Sequence, residues 1–195
     1  MRSLLSWLYK AYLMTTFRDR LSIASDVIIP WSATFIIDND SSICIRRGVA
    51  IRESIELRAT RNSHLEIREE VRLDRYIRII ATNSTKVLIG RRTRIGLGSV
   101  FNGGGNITIG ENTLISGYVY LQTSMHNHTT PLDIMDGGYV YGDITIGKGS
   151  WLGVHVVIFP DVTLGQKTVV GSNAVVTRSF EAKSVVGGIP AKVLN

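Results

Sequence analysis

The stretch ITIGKGSWLGVHVVIFPDVTLGQKTVVGSNAVVT, residues 144–177, carries an aliphatic residue at every sixth position. The repeated residues are Ile146, Leu152, Ile158, Leu164, Val170 and Val176. A period of six matches neither an amphipathic helix, with about 3.6 residues per turn, nor the alternation of an ordinary strand. It is typical of a β-helix, in which six residues form one flat side and one corner of a prism and the aliphatic residue points inward. The stretch therefore predicts an all-β solenoid.

The same period continues upstream and is interrupted after every third repeat. The residues in register form four triplets: Ile45, Ile51, Leu57; Ile67, Leu73, Ile79; Ile89, Ile95, Phe101; and Ile109, Ile115, Leu121. The steps from one triplet to the next are 10, 10 and 8 residues, and the step from Leu121 to Ile146 is 25. If three repeats complete one triangular coil, every insertion leaves the prism at the same corner. We therefore predict six triangular coils over residues 43–181, preceded by one or two irregular coils from about residue 22.

The predicted solenoid divides the chain into three segments. Residues 1–21 form an N-terminal helical segment, because apolar residues recur there at helical spacing. Residues 22–181 form the β-helix, with a protruding loop at 122–145, and residues 182–195 form a C-terminal tail that folds back over the prism. We expect the helix to cover the first coil or a neighbouring subunit. Its basic residues leave open a second interpretation, peripheral contact with an anionic membrane surface.

Composition narrows the function classes. The 195 residues are 44% hydrophobic and 19% charged, as in a globular protein, and no apolar run reaches the length of a membrane span. The N-terminal stretch does not read as a secretory signal, and the single cysteine, Cys44, excludes an internal disulfide, so we expect a cytoplasmic protein. A net charge of +6 favours anionic partners. Aromatic and basic residues do not alternate as in a stacking surface, so we expect no nucleic-acid binding.

The C-terminal half resembles a known family. The segments WLGV, FPDVTLG, VVTRS and GGIPAKV, which begin at residues 151, 159, 175 and 187, are similar to motifs of the hexapeptide-repeat (left-handed β-helix) acyltransferases. The likeness is greatest to maltose and galactoside acetyltransferases and to the O-acetyltransferases that modify capsule and lipopolysaccharide. The resemblance implies left-handed coiling, a homotrimer with active sites between subunits, and transfer of an acetyl group from acetyl-CoA to a hydroxyl of a sugar, oligosaccharide or polysaccharide precursor.

The resemblance also implies a catalytic histidine five residues beyond the inward residue that precedes the long insertion. Five residues after Leu121 lies His126; His128 is the alternative, because HTTPLD is similar to a segment of maltose acetyltransferases. A histidine, with an ordinary pKa near 6.5, suits a general base that takes the proton of an alcohol as it attacks a thioester. Backbone N–H groups can stabilise the resulting oxyanion. Direct attack in a ternary complex needs no acyl-enzyme, so we interpret Cys44 as a core residue.

Binding residues follow from the same resemblance. Asn102 and Trp151 are the expected acceptor-binding residues. The expected coenzyme A-binding residues are Gly153, Val154, Gly171, Ser172, Thr177, Arg178 and Lys192, with Lys183 as a looser candidate. Main-chain groups at the first four positions would hold the pantetheine arm, while the later positions would face the phosphates. We expect no metal.

Other functions remain open at this point. The chain could be an acetyltransferase for a small-molecule drug or an amino acid. His126, His128 and His155 allow, by number although not by spacing, a zinc site like that of the γ-class carbonic anhydrases. A non-catalytic β-helical scaffold is the remaining alternative.

Overall fold

The structure, a computed structural model, describes residues 2–194, with side chains from residue 4 onward. Within that range the chain forms one α-helix, one 3-10 turn and 24 strands. All but two of the strands belong to three sheets, which form the faces A, B and C of a triangular prism. Strands within a face pair in parallel, except for the last strand of the chain, which is antiparallel to its neighbour. The chain visits the faces in the repeating order A, C, B, and it makes about seven turns in all.

Helix α1, Arg2–Phe17, forms where a helix is predicted and is followed by a 3-10 turn, Arg18–Arg20. It covers the first coil: Leu13 is buried, and the Tyr9 hydroxyl donates a 2.6 Å hydrogen bond to the carbonyl of Ala33. The Lys10 ammonium donates to three carbonyls of the same coil, those of Ala24 (2.7 Å), Ser25 (3.1 Å) and Val27 (3.0 Å). No helix within residues 2–194 is long and apolar enough to cross a membrane.

The three faces are built from short strands stacked in register. Face A contains β1 (Leu21–Ile23), β3 (Ser42–Ile45), β6 (His64–Ile67), β9 (Lys86–Ile89), β12 (Ile107–Ile109), β17 (Ile144–Ile146) and β20 (Val162–Leu164). Face B contains β2 (Thr34–Ile37), β5 (Glu56–Ala59), β8 (Arg78–Ala81), β11 (Val100–Gly103), β14 (Tyr120–Gln122), β19 (Val157–Ile158) and β22 (Val175–Val176). Face C contains β4 (Ala50–Ile51), β7 (Arg72–Leu73), β10 (Arg94–Ile95), β13 (Leu114–Ile115), β18 (Trp151–Leu152), β21 (Val169–Val170), β23 (Val185–Gly187) and β24 (Lys192–Val193).

Pairing between coils follows the six-residue register. Ile45 pairs with Ile67, which pairs in turn with Ile89. Every residue of the predicted inward set is buried except Ile51, which is half-buried. Ile51 lies on β4, the first strand of face C, so no strand of that face lies beneath it. The predicted fold is confirmed, and the insertions do leave from one corner, between faces B and A, which we call the B–A corner.

Two regions outside the repeat have regular structure. The long insertion contains an antiparallel hairpin, β15 (Ser124–His126) and β16 (Tyr139–Tyr141), where only a protruding loop is predicted. The C-terminal tail extends face C, because β23 pairs in parallel with β21 and β24 returns antiparallel along β23. We name the hairpin and its connection, residues 124–141, the histidine hairpin.

Candidate functional site

The histidine hairpin is anchored to the coil beneath it through Thr123. This residue is fully buried, and its hydroxyl accepts a 2.9 Å hydrogen bond from the Gly105 N–H and donates to the carbonyl of Asn102. At the other end of the hairpin, the Gly142 N–H donates to the Thr123 carbonyl at 2.9 Å. The two ends of the insertion therefore meet at one buried threonine, which fixes where the hairpin leaves the prism.

The glycines of FNGGGN make room for this hairpin. A Cβ atom on Gly104 would lie 2.7 Å from Cε1 of Tyr141, and one on Gly105 would lie 2.6 Å from the Gly142 carbonyl oxygen. Real Cβ atoms do not approach other atoms so closely. The run of glycines and the histidine hairpin, which lie in successive coils, thus form one packed unit.

His126 and His128 occupy different environments. His126 is half-buried on β15, paired with Tyr139 on β16, and the two ring centroids are 4.4 Å apart. Its Nδ1 is buried and has no hydrogen-bond partner among the described residues. His128 is exposed, two residues beyond the end of β15. The structure therefore packs the first histidine against a tyrosine ring and leaves the second on the surface.

Asn102 connects to the hairpin along the outside of face B. Its Nδ2 donates a 3.2 Å hydrogen bond to Oε1 of Gln122, the residue paired with it one coil later. The Gln122 amide in turn donates to the Ser124 carbonyl, at the first residue of β15. Asn102 is therefore linked through Gln122 to the strand that carries His126.

Trp151 lies on a different side of the prism. It is the outward residue of β18 on face C, 49% exposed, and its Nε1 donates to Oγ of Ser116 at 3.2 Å. Face C is the side of the triangle opposite the B–A corner, where His126 lies. One chain therefore does not bring His126 and Trp151 together.

Six of the expected coenzyme A residues lie at two corners, and the seventh, Lys192, lies on face C. Gly153, Val154, Gly171 and Ser172 are stacked at the corner between faces C and B, where the Val154 N–H donates to Oγ of Ser172 at 3.2 Å. The N–H groups of Gly153 and Gly171 already donate to carbonyls of the next coil, at 2.8 Å each. Thr177 and Arg178 follow β22 at the B–A corner, and Lys192 is exposed on β24. The Arg178 guanidinium carbon lies 5.1 Å from the Phe180 ring centroid.

The other two histidines and the cysteine lie elsewhere. His64 begins β6 on face A, and its Nδ1 lies 2.8 Å from Oγ of Ser42. His155 is exposed at the corner between faces C and B, with its ring centroid 5.3 Å from that of Tyr118. Among the described residues, no group of three histidine, cysteine, aspartate or glutamate side chains is placed to hold a metal. Cys44, expected in the core, is half-buried on the outer side of face A, because it alternates with the buried Ile43 and Ile45.

Sequence reasoning missed Tyr139, Tyr141 and Gln122 as parts of this site. A signal for the tyrosines was present, since SMH and YVY are two short segments of strand-like residues separated by a turn-rich connection. Gln122 follows the inward residue Leu121 by one position, so its outward orientation could have been read from the repeat.

Part of the chain is similar in sequence to known acetyltransferases. No protein-family model matches the chain. Galactoside O-acetyltransferase of Escherichia coli is 38% identical over 89 residues, covering 45% of this chain and 43% of the relative. A putative lipopolysaccharide biosynthesis O-acetyl transferase of Escherichia coli is 32% identical over 97 residues, 46% and 50% of the two chains. A probable acetyltransferase of Mycobacterium tuberculosis is 30% identical over 153 residues, 77% and 51%. The chain thus spans about half the length of the curated relatives it matches.

Solved structures share the fold. AntD, an N-acyltransferase from Bacillus cereus crystallised with dTDP-4-amino-4,6-dideoxyglucose and coenzyme A, superposes with a TM-score of 0.66 at 17% identity, over 95% of this chain and 88% of AntD. A hexapeptide-repeat containing acetyltransferase from Vibrio cholerae is 27% identical, with a TM-score of 0.54, over 77% and 71% of the two chains. The left-handed β-helix fold and the resemblance read from the motifs are thereby confirmed.

Proposed function

We propose that this hexapeptide-repeat acyltransferase moves an acetyl group from acetyl-CoA to a hydroxyl of a sugar or polysaccharide precursor, with His126 as the general base. The named activities of its sequence relatives support the reaction class. Coenzyme A in the AntD crystals supports the donor. The galactoside and lipopolysaccharide named for those relatives support a sugar or polysaccharide acceptor.

The orientation of His126 carries the proposal. Its Nδ1 is buried beside Tyr139, so Nε2 is the nitrogen left to meet an acceptor hydroxyl. The hairpin that holds it is tied to the prism by Thr123, so the imidazole position is defined by backbone pairing rather than by a flexible loop. His128, which is exposed in the connection, has no comparable support.

The chemistry follows from that orientation. Nε2 of His126 takes the hydroxyl proton while the acceptor oxygen attacks the thioester carbonyl, forming a tetrahedral oxyanion that backbone N–H groups can stabilise. When the intermediate collapses, the carbon–sulfur bond breaks and the imidazolium gives its proton to the departing thiolate. The products are an acetyl ester and coenzyme A with a free thiol, and the histidine returns to its neutral form.

We further propose that the site is completed between subunits of a homotrimer. His126 and Trp151 lie on opposite sides of the prism, so Trp151 can join the histidine only from a neighbouring chain. The stacked corner at Gly153 and Ser172 would hold the pantetheine arm, and Arg178 and Lys192 would face the phosphates. The N–H groups of Gly153 and Gly171 are already bonded, so the arm would meet carbonyl groups and the Ser172 side chain there.

The location of the reaction is part of the same proposal. Acetyl-CoA is a cytoplasmic metabolite, and we place the enzyme there. Helix α1 exposes Leu4, Trp7, Leu8 and Tyr12, and we propose that this surface is covered either by the neighbouring subunit or by the inner face of the membrane.

A thiol-release assay tests the reaction. Acetyl-CoA is supplied with a panel of sugars, nucleotide-sugars, an amino sugar, serine and an aminoglycoside, and esterified and amide products are separated by hydroxylamine sensitivity. An O-acetylated sugar formed by the wild-type protein, and lost in His126→Ala, supports the proposal. Thiol release with serine or the drug alone assigns the enzyme to the alternative acceptors, and amide product with the amino sugar makes it an N-acyltransferase.

A further inference from the structure

The outward positions of face C form a continuous column with an unusual composition. From the N-terminal end they are Ala50, Arg72, Arg94, Leu114 and Trp151, each paired in register with the next. Two arginines are thus followed directly by two large apolar residues. Face C is also the face that carries Trp151, the expected acceptor-binding residue.

Arg72 and Arg94 are direct neighbours with like charge. Adjacent strands are about 4.8 Å apart, so the two side chains leave the sheet side by side, an arrangement that disfavours folding unless something offsets the repulsion. Neither side chain has a hydrogen bond or an ion pair with any of the described residues. Both are exposed.

The nearby carboxylates are already occupied. Asp74 lies 3.9 Å from Arg52 and 3.8 Å from Arg75, and Glu70 lies 3.3 Å from Arg91 and 3.9 Å from Arg92. These carboxylates flank the column without pairing with it. These carboxylates therefore do not neutralise the arginine pair, and an anionic ligand could do so.

Arg72 and Arg94 line two neighbouring depressions in the surface. One has a volume of about 450 Å³ and extends toward Ser116, and the other has a volume of about 470 Å³ and extends toward Asn112. Four arginines and two carboxylates line them, which gives a net charge of +2: Arg52, Arg72, Arg92, Arg94, Asp74 and Glu70. We name this surface the basic groove.

The groove continues into an apolar end. Leu114 is 43% and Trp151 is 49% exposed, and the Trp151 indole is held by its hydrogen bond to Ser116, a residue of the groove. Two strand spacings, about 10 Å, separate Trp151 from Arg94. A ligand that reaches both must carry an anionic group and an apolar face at that separation, which is longer than a single sugar ring.

We propose that the basic groove binds an anionic saccharide, with its carboxylate or phosphate on Arg72 and Arg94 and a sugar ring on Trp151. Arginine pairs bind such groups with bidentate, charge-assisted hydrogen bonds, and a sugar ring presents C–H groups that pack on an indole. This inference deepens the proposed function by naming the class of its acceptor, an acidic oligosaccharide or a nucleotide-sugar, and it rests on that function for the step after binding.

Isothermal titration calorimetry with the full chain tests whether the basic groove binds such a ligand. The probes are tetragalacturonate, which carries carboxylates, dTDP-glucose, which carries phosphates, and neutral maltotetraose. We expect at least one anionic probe to bind, and to bind more weakly as NaCl rises from about 50 mM to about 500 mM. Arg72→Gln/Arg94→Gln should weaken it by about 30-fold or more, and Arg72→Lys/Arg94→Lys by less. The probe that responds distinguishes carboxylate from phosphate recognition.

A matched variant controls for net charge. Arg18→Gln/Lys86→Gln also removes two positive charges, from exposed side chains outside the groove that have no ion pair among the described residues, and it should bind like wild type. Equal loss in both variants, or equal binding of maltotetraose, overturns the inference. A change in sedimentation of the Arg72→Gln/Arg94→Gln variant also overturns it, because the pair then holds subunits together.

Binding and transfer assays on the same protein samples test the basic groove and the proposed reaction independently. If the anionic probe binds through the arginine pair but no acetyl group is transferred to it or to any other sugar, the groove stands and the proposed reaction fails. If a neutral sugar is acetylated and the arginine variant transfers normally, the reaction stands and the groove is not its acceptor site.

Discussion

The ring of Tyr141 lies against the Cα of Gly104, close enough that a methyl group there would come within 2.7 Å of Tyr141 Cε1. Gly104→Ala should therefore displace the second strand of the histidine hairpin. Overpacking of this kind costs about 1–3 kcal/mol when the neighbours cannot move. We expect turnover to fall while the circular dichroism of the β-helix is unchanged, and Gly104→Ala/Tyr141→Ala to recover part of the lost stability. Additive losses in the double variant would show that the two residues do not touch.

Replacement of the proposed base gives the second prediction. His126→Ala should lower kcat by about 10² to 10⁴-fold, because the hydroxyl proton loses its acceptor. Coenzyme A affinity, measured by titration, should stay within a factor of a few. His128→Ala is the matched control and should transfer normally, and the reverse result would move the base two residues along the chain.

The third prediction is that Tyr139 supports turnover by holding the His126 imidazole in position. With the two ring centroids 4.4 Å apart, Tyr139→Ala removes the surface against which the imidazole rests. We expect kcat to fall about tenfold or more with KM for acetyl-CoA unchanged, since misplacement of a base slows the chemical step. Tyr139→Phe keeps the ring and should retain activity. A large loss in Tyr139→Phe would instead assign a role to the hydroxyl.

The tip of the histidine hairpin gives a fourth prediction. Leu132, Ile134 and Met135 are exposed, Met135 by 80%, so none belongs to the core of the chain. Replacing residues 130–136 with a short Gly-Ser turn, while both hairpin strands are kept, should leave thermal stability and the mass of the assembly in solution unchanged. The acceptor KM should rise or transfer should stop, with slow hydrolysis of acetyl-CoA remaining. Weakened coenzyme A binding with an unchanged acceptor KM would contradict this division of roles.

Attachment of α1 to the first coil can be tested through Lys10. Lys10→Met leaves three carbonyls without their donor, and we expect the free energy of unfolding to fall by about 1–3 kcal/mol. Lys86→Met, at an exposed position of face A, is the comparison and should be nearly neutral. Equal urea midpoints for the two variants would mean that α1 is held by its apolar contacts alone.

The repeat was predictable from sequence because inward positions recur at a fixed spacing, and each residue from Ile45 to Val176 in that series lies where the period places it. The histidine hairpin was less predictable. Its strands are three residues long, and their pairing depends on Thr123 and on the glycines of a different coil. The outward position of Cys44 was missed although it follows from its buried neighbours. The meeting of His126 and Trp151 that we propose would depend on a second chain, which no pattern within one chain encodes.

The prism responds differently to substitutions at inward positions and to insertions at the B–A corner. Substitutions at inward positions are constrained by the coil above and the coil below, whereas the B–A corner accepts segments of different length without shifting any register. New recognition loops can therefore be acquired at that corner by insertion or exchange, with no need to redesign the scaffold. For an engineer, a hairpin grafted at this corner is the corresponding route to a new surface loop.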